Sequence, residues 1–293
     1  MTPKCLREGL SEWVRRKEAV TSEGVAKLPG CTVRVGKLIS LTRKAAAKQF
    51  VSAAAALQVE KMFTTGSDLY CDYEALESHL HTTRIYRNYK SATENREGVS
   101  KGIRKRVEAK QSYCLGPFNR SDQSLLPSKS LVFPLGGVQK KAADGTLLEE
   151  FRPASDHTKS GFNLFSNPPS FSLSATQDVA RMFHEGYSMA VGDIQNAFAL
   201  LPLSPHIWKF MFFVWYNVYD ANDRQEYLYA NVFADFGSRG APEAFRVLFV
   251  EVCVGIARCE NVICPTREIP IHVDDFSIID KSQMVADQEM ESL

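Results

Sequence analysis

Ile271-His272-Val273-Asp274-Asp275-Phe276-Ser277-Ile278-Ile279 sets two bare carboxylates inside a run of apolar, β-favouring residues. Such a run reads as strand, tight turn, strand. Adjacent aspartates at a hairpin tip repel each other unless a cation lies between them. The pair is therefore either a solvated turn or half of a divalent-metal site. Taken alone, the solvated turn is the commoner case, so the flanking sequence has to decide.

Upstream of this hairpin, Pro242 suits the first turn of a helix. Ala244, Phe245, Leu248, Phe249, Val252, Cys253 and Ile256 then recur at helical spacing. Trp208 to Tyr219 and Glu226 to Phe233 read as aromatic strands around a turn at Asn222-Asp223. Ser174-x-x-Gln177 has the pattern of a capping box opening a helix to about His184. Gly186 ends that helix, and Tyr187 to Ile194 reads as a buried strand carrying Asp193 at its end. Helix, strand, hairpin, helix, hairpin over residues 171–293 predicts an α+β layer, an antiparallel sheet with helices on one face. An acid at the end of a buried strand is costly without a partner. Adjacent strands in one sheet would bring Asp193 beside Asp274. Two or three carboxylates meeting there would hold two Mg²⁺ or Mn²⁺ ions about 4 Å apart. Oxygen-only ligands suit these ions rather than zinc.

Residues 116–170 form a second segment, punctuated by Pro, Gly and Ser. Leu131 to Gln139 reads as a strand, Ala143-Asp144-Gly145 as a turn and Thr146 to Arg152 as the return strand. Residues 1–115 read as a polar, helical and basic region, alanine-rich from Ser40 to Phe63. Net charge is +1, yet residues 1–110 hold 21 Lys and Arg against 12 Asp and Glu, leaving 14 against 22 for the remainder. That asymmetry fits a polyanion-binding surface followed by a metal–carboxylate site, and equally an ordinary solvated helical surface. The seven cysteines are odd in number and contain no C-x-x-C, so an intracellular location, cytoplasm or nucleus, is expected. His79-x-His81 has no cysteine pair near it and reads as surface. Lys4, Arg7 and Glu8 are followed by no apolar run, so no signal peptide is expected. The most apolar segment, Phe245 to Ala257, is broken by Arg246 and Glu251, so no membrane span is expected either.

Four blocks in order then resemble the reverse transcriptases. Asp193-Ile-Gln-Asn-Ala-Phe198-Ala-Leu-Leu-Pro202 resembles their first palm motif. Phe236-Gly237-Ser238-Arg239-Gly240-Ala241-Pro242-Glu243-Ala244-Phe245 resembles their second, and His272-Val273-Asp274-Asp275 their Tyr-x-Asp-Asp box. Gln139-Lys140-Lys141, Asp144-Gly145, Arg152-Pro153, Asp156 and Asn163 look like their fingers pattern. The wording of the blocks is nearest to LTR-type or DIRS-like retroelement polymerases.

The resemblance implies a right-hand polymerase fold with fingers at residues 116–170 and a palm at 171–293. It implies two Mg²⁺ or Mn²⁺ ions on Asp193, Asp274 and Asp275, and an RNA or DNA template with its primer and a dNTP as partners. Phe198 matches the aromatic steric gate, Lys140, Lys141 and Arg152 the cations gripping the triphosphate, and Gly237 and Gly240 the loop under the nucleotide. Ala241, Pro242 and His272 match template and primer contacts, with His272 where the family has Tyr. The family continues past its Asp-Asp box with a further palm strand, a primer grip and a thumb. Eighteen residues follow Asp275 here, so the palm is expected to be incomplete and the thumb absent. The implied activity is RNA-directed DNA polymerisation. An inactive retroelement remnant or domesticated nucleic-acid-binding protein, and an RNA-directed RNA polymerase, are the alternatives.

Overall fold

The computed structural model describes residues 6–25, 28–121, 123–142, 144–172, 174, 176–194, 196–272 and 275–293. Its elements in chain order begin with α1 (Leu6–Glu23), α2 (Val35–Ala47), α3 (Ala53–Thr64), α4 (Tyr73–His79), β1 (Arg84–Ile85), α5 (Lys90–Thr93) and α6 (Arg96–Glu108). Next come β2 (Ser112–Pro117), β3 (Leu131–Phe133), β4 (Leu135–Lys141), β5 (Leu147–Ser155), α7 (His157–Ser160), α8 (Thr176–Met182), β6 (Ser188–Asp193), β7 (Phe212–Tyr216) and β8 (Glu226–Asn231). Last are α9 (Ala241–Arg246), α10 (Val254–Cys259), β9 (Ile271–His272), β10 (Asp275–Asp280) and α11 (Gln283–Ser292). The chain is thus a mixed α+β protein. It divides into two units, one of Met1–Thr32, Met62–Pro168 and Phe198–Ala241, the other of Val33–Lys61, Pro169–Ala197 and Pro242–Leu293.

In the first unit a five-stranded mixed sheet runs β1-β3-β7-β8-β2, with β1, β3 and β7 parallel and the remaining pairs antiparallel. Alternation of bulky residues on β7 and β8 stacks Phe213 on Tyr229 at 5.1 Å between ring centroids. Trp215 and Phe133 join them in the core. Helix α6 contributes Val99 and Ile103, one helical turn apart, to that core and turns Lys101, Arg104 and Lys105 to solvent. With Val107 packed on the same core, the stripe is one residue wide along a charged helix, narrow for periodicity to reveal. Trp13 of α1 lies 5.2 Å from Phe212 and 6.2 Å from Trp208.

The hairpin β4–β5 is a separate two-stranded ribbon. Gly145 turns it with φ 85°, and Asp144 accepts from Thr146 N at 2.8 Å; Ala143, expected in this turn, lies outside the described residues. Helix α6 holds the ribbon from behind. A Cβ on Gly102 would fall 2.5 Å from Pro153 Cδ, and one on Gly98 2.9 Å from the Phe151 ring.

The second unit carries an antiparallel sheet in the order β6-β10-β9. Ala190 of β6, Ile278 of β10 and Ala286 of α11 form a core with Met290 and Leu293 packed on it. Arg267 ties the layer together, donating to Glu289 Oε2, Asp280 Oδ2 and Ile279 O at 2.7 Å each. The helix running from Ala241 to Cys259 contains a π-helical stretch, Val247–Cys253.

Several expectations are corrected. The aromatic hairpin β7–β8 does not share a sheet with the acidic hairpin, because β8 takes β2 as its outer neighbour. Strand β6 is not buried throughout: it alternates, with Val191 62% exposed on the uncovered face. Ser174 Oγ accepts from Ile271 N of β9 at 3.0 Å, while Ala175, at the expected start of α8, lies outside the described residues. The alanine-rich run is two helices, since Gln49 takes φ 64° between them and Ser52 Oγ accepts from Ala55 N at 3.1 Å.

Exchanging glycine for alanine inside a helix gains about 0.5–1 kcal/mol from backbone entropy, whereas overpacking costs about 1–3 kcal/mol. Gly102→Ala, pressed against the rigid Pro153 ring, should lower the thermal midpoint. Gly36→Ala, which meets nothing within 4 Å, should leave it unchanged or raise it slightly. Thermal melts of the two variants check this.

Candidate active site

In the second unit, antiparallel pairing sets Asp193 of β6 opposite Asp275 of β10, and Asp275 opposite His272 of β9. Directly opposed residues point to the same face of a sheet, so the three side chains form one row across three strands. All three residues are exposed. The next row, Gly192, Phe276 and Ile271, points to the other face, where Phe276 packs on Phe249 at 5.2 Å. Two like charges directly opposed destabilise a strand pair, and an oxygen-rich pair of this kind suits a hard divalent cation. Sequence reading placed Asp193 beside Asp274; the register brings it to Asp275, and Asp274 lies outside the described residues, as does Val273. Among the described residues no three His, Cys, Asp or Glu side chains are gathered closely enough to hold a metal. His272 Nδ1 lies 3.3 Å from Ser174 O, which orients the ring. After β6 the chain turns through Asn196, whose φ of 58° is a left-handed conformation that asparagine tolerates.

Phe198, Lys140, Lys141, Arg152, Gly237, Gly240 and Ala241 belong to the first unit, and Pro242, in the first turn of α9, to the second. Phe198 is only 6% exposed and meets Phe236 edge-on at 5.0 Å. Phe236 is 42% exposed, and the Arg152 guanidinium sits 5.7 Å from its centroid. Arg152 and Phe198 are thus joined through a residue to which sequence reading gave no role. Lys140 is ion-paired with Glu150 across the hairpin, which holds the Glu150 carboxyl below its usual range. Lys141 is exposed at the ribbon's end, opposite Leu147.

The loop bearing Gly237 and Gly240 is fitted tightly to its surroundings. Gly237 has φ 110° and a Cβ there would fall 1.8 Å from Ser155 O; at Gly240 it would fall 2.0 Å from Leu69 O. Only glycine fits either place. Asn163 clamps the loop, donating to Gly237 O and accepting from Arg239 N, both at 2.9 Å. Ala241 N donates to Ser238 O at 3.3 Å as α9 begins. Asp156 caps α7 through Lys159 N at 2.7 Å and accepts from the Tyr89 hydroxyl at 2.6 Å.

Beneath the loop lies a buried polar cluster that the sequence motifs did not reveal. Asp235 accepts from Ser155 Oγ and from Asn231 Nδ2 at 2.8 Å. His157 Nε2 is 2.8 Å from its other oxygen, and Arg106 Nη1 is 3.7 Å away. Burial would raise the Asp235 carboxyl, but His157, Arg106 and Ser155 outweigh burial and hold it below the usual carboxylate range. Burial pulls the Arg106 guanidinium down, and Asp235 partly restores it. A lone acid within the apolar run Val232-Phe233-Ala234-Asp235-Phe236 was the available signal. A buried charge needs a partner, though the sequence does not say which.

No protein-family model matches the chain, and no curated protein matches it. Among solved structures, the chain has a distant structural similarity to a mutant protease–reverse transcriptase of prototype foamy virus, with 14% identity and a TM-score of 0.46. The alignment covers 71% of this chain and 23% of that one, so the chain spans about a quarter of that protein's length. Among the described residues no helix is long and apolar enough to cross a membrane.

Removing one partner of a buried ion pair costs about 3–5 kcal/mol, so Asp235→Asn should be strongly destabilising at pH 7. A depressed carboxyl contributes its stability above its unfolded value, about 3.9, and loses it as pH falls through the folded value. The gap between wild type and Asp235→Asn should therefore shrink on acidification below about pH 4. Urea denaturation across pH checks both expectations.

Proposed function

We propose that this chain is a fragment of an RNA-directed DNA polymerase, joining a dNTP to a primer 3′-hydroxyl with release of pyrophosphate. The observation that carries the reading is the register that sets Asp193 opposite Asp275 on an exposed sheet face, with each acid inside its own polymerase-like motif. Asp193, Asp274 and Asp275 would hold two Mg²⁺ or Mn²⁺ ions. When bound, such ions neutralise charge developing on the transferred phosphate. The donor set fits, being carboxylate oxygen presented without a competing cation in its row.

In the first unit, Arg152 is the phosphate-gripping cation best supported by its surroundings, exposed and seated on the Phe236 ring. A planar guanidinium suits bidentate phosphate contacts. Lys141 adds a free-standing charge at the ribbon's end, while Lys140 would have to leave Glu150 to do the same. Phe198, wedged against Phe236, is held rigidly enough to act as a gate against a 2′-hydroxyl. Gly237 and Gly240, needed where the loop packs on Ser155 and Leu69, would shape the loop under the nucleotide, and Ala241, Pro242 and His272 would face template and primer. An aromatic residue at position 198 favours dNTPs over the ribonucleotides an RNA-directed RNA polymerase would take. The deep burial of Phe198 and the pairing of Lys140 favour a second reading, a chain that retains the fold and binds nucleic acid without catalysis.

Primer extension on poly(rA)/oligo(dT) with Mg²⁺ or Mn²⁺ distinguishes these. Extension should be abolished by Asp193→Asn or Asp274→Asn with the melting temperature retained, and Phe198→Ala should admit ribonucleotides. Template binding without extension by the wild type would select the second reading. Wild-type extension by either aspartate variant would refute the metal assignment.

A further inference from the structure

A groove of about 540 Å³ opens along α1 in the first unit, a volume suited to a single small organic ligand. Of its lining residues only Trp13 has been described above, packed on Phe212 and Trp208. Trp13, Val14 and Pro127 give it apolar walls, and Lys17 and Lys209 supply charge, with Glu18 exposed at the rim. The lysines are crowded. Lys209 donates to Glu77 at 2.6 Å, and Lys129 and Lys17 also act on that one carboxylate. Lys17 makes no ion pair of its own among the described residues. Burial and then Lys209 pull its ammonium below the usual lysine range, against the opposing effect of Glu77. One further donor is unsatisfied: Trp13 is almost wholly buried, and its Nε1–H has no acceptor among the described residues. Buried donors of this kind are rare and call for a partner.

We propose that this groove binds a phosphate monoester carried on a flat apolar body. Lys17 Nζ and the two N–H groups that Lys209 does not give to Glu77 are donors for a tetrahedral oxyanion. Trp13, Val14 and Pro127 bracket the apolar part. Lysine meets phosphate as a point charge, without the planar fork that favours carboxylate. An anion there removes the crowding of like charges.

Calorimetric titration of the full chain with phenyl phosphate tests this, with inorganic phosphate, phenol and benzoate as comparators. Phenyl phosphate should bind with a Kd below about 1 mM, and each comparator should bind more weakly. Lys17→Gln should weaken phenyl phosphate about tenfold or more, as expected for a lost charged hydrogen bond, with the ligand-free melting temperature unchanged. Arg15→Gln, on the same helix but outside the groove lining, should bind as wild type. Undiminished binding by Lys17→Gln, or no binding by the wild type, would overturn the proposal. Tighter binding of benzoate would overturn the choice of phosphate.

Discussion

The register of β10 against β6 is the constraint on which the candidate metal face depends. A slip of one residue would turn every side chain on the strand to the other face. The slip is prevented from behind. Ala190, Ile278 and Ala286 form a small close-packed layer, and Arg267 fixes the end of β10 and α11 through three donated hydrogen bonds. Apolar packing on one face therefore obliges Asp193 and Asp275 to confront each other on the other. The repulsion is tolerated because it sits in water at the strand ends, where the dielectric is high.

In the first unit a buried charge plays the corresponding part. Asp235 joins the end of β5, through Ser155, to β8, through Asn231, and to the start of α7, through His157. Arg106 approaches it from α6. The same α6 lies against the ribbon through its glycines, and the ribbon carries Arg152. The position of Arg152 over Phe236 is thus set at both ends, by a helix behind the ribbon and by the anchored aspartate that precedes Phe236. The loop at Gly237 is pressed so closely on Ser155 that no side chain fits, which keeps this geometry from relaxing.

Much of this was legible in the sequence, and the failures have physical causes. The strands ending in Asp193 and beginning at Asp275 were found because runs of apolar, β-favouring residues bounded by turn signals survive even in short strands. Pro242 marked the start of its helix correctly. The inward face of that helix is shifted past its midpoint: Cys253 and Ile256, expected inside, are only partly buried, while Val254, Gly255, Ala257 and Cys259 are buried. A π-helical stretch adds residues per turn and rotates everything after it, and a fixed helical period cannot anticipate that. Its mark is the pairing of Arg246 with Glu251, five positions on, as well as with Glu243. The grouping of β7 and β8 with the acidic hairpin failed because pairing partners are chosen in three dimensions. Strand β2, more than a hundred residues before β8, could not be assigned to it from local pattern. Asp235 was overlooked because motif reading attends to exposed acids, and this one is buried.

The small sheet of the second unit has a further consequence. Among the described residues β6 has β10 on one side and no strand on the other, and it leaves Val191 and Met189 on the uncovered face beside that open edge. Unpaired backbone next to exposed apolar side chains is a template for another strand. The carboxylate at its end, Asp193, is then also a gatekeeper: its charge discourages chains from stacking edge to edge. The residue whose charge opposes Asp275 across the sheet would in this way also discourage edge-to-edge pairing.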